Sequence, residues 1–124
     1  YTEQDKQAAM KTSLTPPPTI PICYTAIQKI GVTGSVLDFG CGIHKRHTHR
    51  LTATGATKIA AYDFHFPETK DAIFAEQYDC IIASNVINVQ TSKGALKQTL
   101  HEIQACLSPN GFALANYPSD PRKM

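Results

Sequence analysis

The sequence contains one stretch, Ser35-Val36-Leu37-Asp38-Phe39-Gly40-Cys41-Gly42, in which an apolar run passes into an acid and two glycines. A short apolar run closed by glycines predicts a central parallel strand followed by a tight loop. Glycine allows the sharp turn and lets a ligand approach bare backbone. From Ile43 onward we expect a helix, whose free N–H groups would point toward the same place. Strand, loop and helix together predict a nucleotide-type binding crevice.

The rest of the chain alternates between helical and extended patterns. We expect helices over residues 20–30, 44–54 and 94–107, and further strands over 58–62, 78–84 and 112–117. The strand at 58–62 reads as buried, residues 68–77 show no strand, and residues 108–111 read as a turn. The last helix should bury one apolar stripe, made of Leu96, Leu100, Ile103 and Leu107. This alternation predicts an α/β fold with helices on both faces of a parallel sheet, and ligands at the carboxyl ends of the strands.

Length and composition limit the classes of protein. A chain of 124 residues predicts one domain, which we place at residues 19–124. Residues 1–18 are polar and then proline-rich, so we expect an extended arm there. The net charge of +2 is too weak to indicate a nucleic-acid partner by itself, and no apolar run is long enough for a membrane span. The four widely spaced cysteines favour reduced thiols and a cytoplasmic protein.

Four motifs resemble those of class I S-adenosylmethionine-dependent methyltransferases. Residues 38–42 are similar to the first motif of that family, an acid followed by Gly-x-Gly, and Asp63 is similar to the acid that holds the ribose. Residues 78–85 resemble the motif of the fourth strand, and residues 107–112 resemble the Leu-x-Pro-Gly-Gly turn before the fifth. The resemblance covers residues 19–117. It implies a Rossmann-like three-layer αβα sandwich with a reduced, mostly parallel sheet.

The resemblance implies S-adenosylmethionine as cofactor and S-adenosylhomocysteine as its product. Backbone N–H groups of the two glycines would bind the methionine carboxylate, while Asp38 would accept from its ammonium group. Asp63 would accept both ribose hydroxyls, and Phe64 would cover the adenine. The predicted cofactor site comprises Asp38, Phe39, Gly40, Cys41, Gly42, Asp63, Phe64, Ser84, Asn85 and Lys11. The alternative is that the two acids are turn residues and that the glycines only make the bend.

Two departures from the family pattern affect the expected sheet. The third strand is absent from the pattern, and the chain has no counterpart of the antiparallel hairpin that ends the family sheet. In these respects, and in its Lys-Thr and proline-rich arm, the chain is similar to small methyltransferases of phages and of DNA phosphorothioation loci. A sheet of about four strands exposes its edges, which invites pairing with a second copy or a partner chain.

Several functions stay open on the sequence alone. The methyl acceptor is unidentified, with nucleic acid as one candidate, and no catalytic residue is assigned. The alternatives are a cofactor-binding module that needs a partner for activity and an enzyme that cleaves the cofactor. A dinucleotide site would need a third glycine where Lys45 stands. Residues 44–50 have three open interpretations. They form a patch that steers a polyanion, they help to bind the cofactor carboxylate, or they are a solvated helix face. His44 and His47 lack the further ligands of a metal site, so no metal is expected.

Overall fold

The structure, a computed structural model, describes residues 1–7, 20–84 and 92–116. Its sheet contains four strands, which are β1 (Ser35–Phe39), β2 (Lys58–Tyr62), β3 (Tyr78–Ala83) and β4 (Leu107–Ala115). They lie in the order β2-β1-β3-β4, and each neighbouring pair is parallel. Within the described part of the chain no strand separates β2 from β3 in sequence. The prediction of an α/β fold with a reduced parallel sheet is therefore confirmed.

Strand β1 lies at the centre of the sheet and is buried on both faces. Side chains alternate along a strand, so Leu37 and Phe39 enter one hydrophobic cluster and Val36 enters the other. Ile81 and Cys80 of β3 divide between the same two clusters. A strand with apolar residues on both faces is stable only between two layers of helices, which explains the run of apolar residues in the sequence.

Helices cover both faces of the sheet. Helix α1 (Ile22–Ile30) and a 3-10 helix (Thr48–Thr54) pack on one face, while α2 (Lys70–Phe74) and α3 (Lys93–Cys106) pack on the other. Helix α1 ends at Gly31, whose φ of 82° is in the left-handed region that favours glycine. The predicted three-layer αβα sandwich is thus confirmed.

The predicted helix over residues 44–54 is confirmed only for its second half. Residues 43–47 form turns, and only residues 48–54 are helical, with 3-10 geometry. Lys45 has a φ of 48°, which breaks a right-handed helix at the position where one would begin. An α-helix here would also stack Arg46 under Arg50, and like charges four residues apart destabilise a helix. Leu51 is buried and the helix ends before Gly55, whose φ of 96° lies in the left-handed region.

Two burial patterns also differ from expectation. Helix α3 buries Ala95, Thr99 and Ile103, whereas Leu100 of the predicted stripe is 47% exposed. Ile103 joins the hydrophobic cluster on the sheet, and the Thr99 hydroxyl is hydrogen-bonded to the Tyr1 hydroxyl at 2.5 Å, so the beginning of the chain covers part of the buried face. Strand β2 is a half-exposed edge strand, not a buried one, because it has β1 as its only neighbour in the described sheet.

The predicted turn at residues 108–111 is a bulge inside β4. Tyr78 pairs with Leu107 and Cys80 pairs with Phe112, so four residues of β4 lie opposite Asp79 alone. The Asp79 carboxylate accepts hydrogen bonds from the Ser35 N–H at 2.9 Å and from the Ser108 hydroxyl at 3.1 Å. These bonds tie β1, β3 and the bulge together at the amino ends of the strands.

The beginning of the chain differs from the expected extended arm. Residues 3–7 are helical. The Thr2 hydroxyl accepts from the Asp5 N–H at 3.0 Å, and the Asp5 carboxylate accepts from the Thr2 N–H at 2.9 Å, which is a reciprocal capping arrangement. Tyr1 donates its hydroxyl to the Glu102 carboxylate of α3 at 3.1 Å. Residues 8–19, including Lys11 and the prolines, lie outside the described residues.

Two further properties bear on the class of protein. No helix in residues 1–7, 20–84 or 92–116 has the length and apolar character needed to cross a membrane. The four cysteines are buried free thiols. A cytoplasmic location stays a prediction.

The bulge provides a test of packing at the amino ends of the strands. A Cβ atom at Gly111 would lie 2.8 Å from the Asp79 carbonyl oxygen and 3.0 Å from the Tyr78 carbonyl oxygen, and backbone atoms cannot rotate away. We expect Gly111→Ala to lower the free energy of unfolding by about 1–3 kcal/mol, measured by urea denaturation.

Gly94→Ala is the matched control, because a Cβ there would meet only the Ser92 hydroxyl at 3.9 Å. It should raise the free energy of unfolding by up to about 1 kcal/mol, since Gly94 lies in the first turn of α3. Equal effects of the two substitutions would contradict this account of the bulge.

Candidate functional site

The predicted site residues meet at the carboxyl edge of the sheet. The loop after β1 (residues 40–47), the loop after β2 (residues 63–66) and Ser84 after β3 all leave the sheet at this edge, because the strands are parallel. From β1 the sheet continues to β2 on one side and to β3 on the other. Loops that diverge from such a switch point leave a crevice, which is where ligands bind in open α/β sheets.

Asp38 is the fully buried acid at the end of β1, with no exposed surface. Its Oδ1 atom accepts a hydrogen bond from the Tyr24 hydroxyl at 2.7 Å, and its Oδ2 atom accepts one from the Thr48 hydroxyl at 2.7 Å. Tyr24 belongs to α1 and Thr48 begins the 3-10 helix. Each carboxylate oxygen keeps capacity for one more donor, which leaves the predicted contact with an ammonium group chemically open.

Burial raises the pKa of Asp38 to about 6. The hydrogen bonds from Thr48 and Tyr24 act in the opposite direction because they stabilise the carboxylate, and the negative charge of Asp63 raises the pKa further. The donors thus compensate only part of the cost of removing a carboxylate from water. A cation placed beside Asp38 would lower this pKa.

Asp63 follows β2 and is hydrogen-bonded to the loop after β1 (residues 40–47), which is named here the glycine loop. Its Oδ1 atom accepts from the Gly42 N–H at 3.1 Å. Its Oδ2 atom accepts from the His65 N–H at 3.2 Å and contacts His65 Nδ1 at 2.5 Å. The Asp63 and His65 side chains are 11% and 8% exposed, respectively. The acid is therefore held in one orientation, with a free lone pair at Oδ1 for a further donor.

The glycine loop is shaped as predicted but its N–H groups are engaged differently. Gly40 and Gly42 have φ values of 80° and 81°, which other residues adopt only with strain. The N–H groups of Gly40 and Cys41 both donate to the Tyr62 carbonyl, at 2.7 and 3.0 Å, and that of Gly42 donates to Asp63. The N–H groups of both glycines are thus already hydrogen-bonded within the chain, and no helix begins directly after them. The predicted arrangement of free N–H groups for a carboxylate is therefore wrong.

Ser84 carries a buried hydroxyl that meets the Cys23 thiol and has no stronger hydrogen-bond partner among the residues the structure describes. It follows the last residue of β3, next to the crevice. A hydroxyl that meets only a thiol, which is a weak hydrogen-bonding group, keeps the capacity to bond to a ligand at this edge. Asn85, predicted beside it, lies outside the described residues, as does Lys11.

Two predicted site residues, Phe39 of β1 and Cys41 of the glycine loop, are buried in the core. The Phe39 side chain is 4% exposed and stacks on Phe74 of α2 with ring centroids 6.1 Å apart, so only its backbone borders the crevice. Cys41 is buried as well. Burial, followed by the charges of Asp38 and Asp63, raises the pKa of the Cys41 thiol to about 12. A thiol that stays protonated at neutral pH is no nucleophile, which agrees with its interpretation as a small filler.

Phe64 lies at the mouth of the crevice, next to Asp63. Its ring is half-buried and meets the Tyr1 ring edge-on, with centroids 4.9 Å apart. On its other side it contacts Tyr62 at 6.5 Å, also edge-on. The predicted adenine-covering residue is thus placed beside the predicted ribose acid, and the first residue of the chain packs against it.

Basic residues surround the mouth on the side of β1. Residues 44–46 are exposed, and Lys45 Nζ lies 4.7 Å from the centre of the Phe66 ring in the loop after β2. His47 packs against the Tyr24 ring with centroids 5.3 Å apart and accepts at Nδ1 from Arg50 Nε at 3.2 Å. No three His, Cys, Asp or Glu side chains of the described ranges converge as metal ligands would.

Sequence reasoning missed three residues that hold the two acids. His65 follows Asp63 by two positions, a spacing at which an acid often bonds to the backbone, and this signal was available. Tyr24 shares the buried face of α1 with Cys23 and Ile27. Thr48 gave no signal, because its position depends on the loop that replaces the expected helix.

The buried Asp38 carboxyl generates a pH prediction. Because its pKa is raised above that of the unfolded chain, the folded state binds the proton more tightly, and stability falls as the pH rises from about 4 to about 6. Asp38→Asn removes this titration. Relative to the variant, the wild type should lose about 3 kcal/mol of unfolding free energy across that range and stay constant above it.

Urea denaturation of both proteins at several pH values measures the difference. In the variant one hydroxyl can donate to the amide oxygen and the other can accept from the amide N–H, so both hydrogen bonds can be kept. Parallel stability curves for the two proteins would contradict the raised pKa of Asp38.

Comparison with family models gives a match over most of the chain. The matching family is described as "Methyltransferase domain", and the match covers residues 22–123. No curated protein and no solved structure matches the chain. The matched range includes the glycine loop, Asp63 and Ser84. The narrower likeness to phage and phosphorothioation proteins stays a prediction.

Proposed function

Because the chain belongs to the methyltransferase domain family, we propose that it binds S-adenosylmethionine in the crevice at the carboxyl ends of β2, β1 and β3 and transfers its methyl group. The observation that carries the proposal is the hydrogen bond from the Gly42 N–H to the Asp63 carboxylate. It joins the glycine loop and the predicted ribose acid into one site. Such a link would not be needed if both were independent turns.

The chemical groups of the crevice fit the cofactor. Asp63 Oδ1 would accept from a ribose hydroxyl, and the half-buried ring of Phe64 beside it would contact the adenine. Asp38 would attract the ammonium group of the methionine moiety, which would compensate part of the cost of its burial. The buried hydroxyl of Ser84, whose neighbour is the Cys23 thiol, offers a hydrogen bond to the same ligand. These contacts are proposed from chemistry and position.

When bound, the cofactor supplies a methyl group on a sulfonium, which a nucleophile attacks directly. The residues of the chain would contribute by binding and orientation, because aligning donor and acceptor can account for much of the acceleration of such a transfer. The described residues at the mouth of the crevice offer no Cys nucleophile, since the Cys41 thiol stays protonated. The acceptor would bring its own nucleophile.

A second candidate function is a module that binds the cofactor but needs a partner chain for activity. It is favoured by strand β4, which has β3 as its only neighbour in the described sheet and carries an exposed Phe112. An open strand edge can accept a strand from another chain or from a second copy. Cofactor binding without methyl transfer, and activity restored by a partner, would favour this candidate over an independent enzyme.

The test of the proposed function is a calorimetric titration with S-adenosylhomocysteine. Asp63→Asn keeps the shape of the side chain but removes the charged acceptor. We expect its affinity to fall by about 10- to 100-fold, because a hydrogen bond to a charged group contributes about 1.5–3 kcal/mol. Asp71→Asn is the control, since Asp71 is an exposed acid of α2 away from the crevice.

Unchanged affinity in Asp63→Asn would remove Asp63 from the site, and no binding by the wild type would contradict the proposed cofactor. Circular dichroism of each variant shows whether a loss of binding reflects a loss of fold. The Asp71 variant should bind as the wild type does.

A further inference from the structure

We propose that residues 43–50, named here the basic loop, bind a single-stranded nucleic acid and hold it at the mouth of the crevice. The proposal rests on the proposed function, because it assigns the class of acceptor to the same site. It is carried by three observations about the described residues, which are the local charge, the rigid anchoring of the loop and an aromatic ring beneath one of its cations.

The positive charge of the protein is concentrated in this loop. Residues 43–50 contain Lys45, Arg46, Arg50 and three histidines, and no Asp or Glu. The other nine Lys and Arg residues are outnumbered by ten Asp and Glu residues, so the rest of the chain has a net negative charge. The overall charge of +2 therefore conceals a local cationic surface, and a surface of one sign attracts a polyanion.

The cations of the loop are available to an external ligand. Lys45 and Arg46 are exposed and form no ion pair with any described residue. Phosphate groups bound by such side chains release counterions, which is the main source of sequence-independent affinity for nucleic acids.

Contacts with buried residues hold the basic loop in place. Thr48 donates to the buried Asp38 carboxylate at 2.7 Å, and His47 packs on the Tyr24 ring. Arg50 donates to His47 through Nε, and its carbonyl oxygen accepts from the Gln28 amide at 3.0 Å. These contacts fix the loop against α1 and the end of β1. The exposed cations thus have a defined position beside the crevice, which reduces the entropy lost on binding.

An aromatic ring lies beneath Lys45. The Phe66 ring belongs to the loop after β2 and is half-exposed, with Lys45 Nζ 4.7 Å from its centre. The pair spans the mouth of the crevice from the β1 side to the β2 side. Lys45 covers one face of this ring, so a base would stack there once the Lys45 ammonium has moved to a phosphate. Cations that follow the phosphates, beside a ring on which a base can stack, are the elements of single-strand recognition. Paired bases in a duplex are stacked on each other and would not reach the ring.

The competing interpretation is that the basic loop serves the carboxylate of the cofactor. A single carboxylate needs one or two donors inside the crevice, whereas residues 44–46 are exposed to solvent. The two interpretations predict different losses on substitution. Neutralising the loop should weaken the binding of a polyanion and leave the binding of S-adenosylhomocysteine unchanged.

The experiment compares two double variants of the whole chain. Lys45→Asn with Arg46→Gln neutralises the loop, and asparagine tolerates the left-handed backbone at position 45. Lys29→Gln with Lys97→Gln removes the same charge from exposed positions of α1 and α3. The probe is a fluorescein-labelled oligothymidine of about twelve nucleotides, a length within the usual site sizes, measured by fluorescence anisotropy.

We expect the loop variant to bind the oligothymidine about tenfold more weakly than the wild type at low salt, with a salt slope reduced by about 0.7 per lost phosphate contact. The control variant should keep most of the affinity, and a duplex of the same length should bind less tightly than the single strand. Both variants should titrate with S-adenosylhomocysteine as the wild type does, so failure of this proposal is distinct from failure of the cofactor site.

Four results would overturn the proposal. These are no binding of the oligothymidine by the wild type at low salt, an equal loss in the control variant, a parallel loss of S-adenosylhomocysteine affinity in the loop variant, and competition by polyglutamate as strong as by unlabelled oligothymidine. Should the double variant fail to fold, Arg46→Gln alone provides the same comparison, because Arg46 is exposed and has an ordinary backbone conformation.

Discussion

The buried carboxylate of Asp38, at the end of the central strand, determines how the crevice is arranged. Asp38 has no exposed surface, and two hydroxyl donors from different elements compensate part of its desolvation. Because an unpaired buried carboxylate would be far more costly, Tyr24 and Thr48 must both stay in contact with it. Their contact fixes α1 and the basic loop on the same face of the sheet. Every other group at the crevice is placed relative to this contact.

Asp63, the acid after β2, is likewise buried and held by hydrogen bonds, which fix the neighbouring loop. Asp63 takes the Gly42 N–H on one oxygen and the backbone and ring of His65 on the other. The glycine loop consequently lies between two buried acids, which are Asp38 at the end of β1 and Asp63 after β2. Both acids are buried, so their mutual repulsion is weakly screened and raises the pKa of Asp38. A cationic ligand that enters the crevice would relieve this repulsion.

Much of the fold could be predicted because apolar runs and glycines are local signals. The run at residues 35–42 indicated the central strand and the position of the loop, and β2, β3 and α3 lie close to their predicted ranges. Sequence patterns were misleading where the burial of a residue depends on contacts with distant parts of the chain. The leucines of α3 suggested an inward face, but the structure buries Ala95 and Thr99, and Thr99 is hydrogen-bonded to Tyr1 at the beginning of the chain. Periodicity within one helix cannot reveal a contact with a distant segment.

The site was predictable in its acids and less so in their partners. Asp38 in β1 and Asp63 directly after β2 were found from sequence, whereas Thr48 reaches Asp38 only because residues 43–47 do not form a helix. That difference replaces a helix N-terminus with exposed cations around the crevice. The side chains of Lys45 and Arg46 are exposed to solvent beside the crevice. This is the structural basis for assigning the loop to an external polyanion.

The central claim is that the carboxyl edge of the sheet binds S-adenosylmethionine. Amide chemical shifts of the isotopically labelled protein, recorded during titration with the cofactor, test it residue by residue. We predict that the amides of Gly40, Gly42, His65 and Ser84 shift together and saturate, while those of Gly34, Asp79 and Gly111 at the opposite edge stay in place. Shifts confined to the opposite edge, or no shifts at all, would contradict the claim.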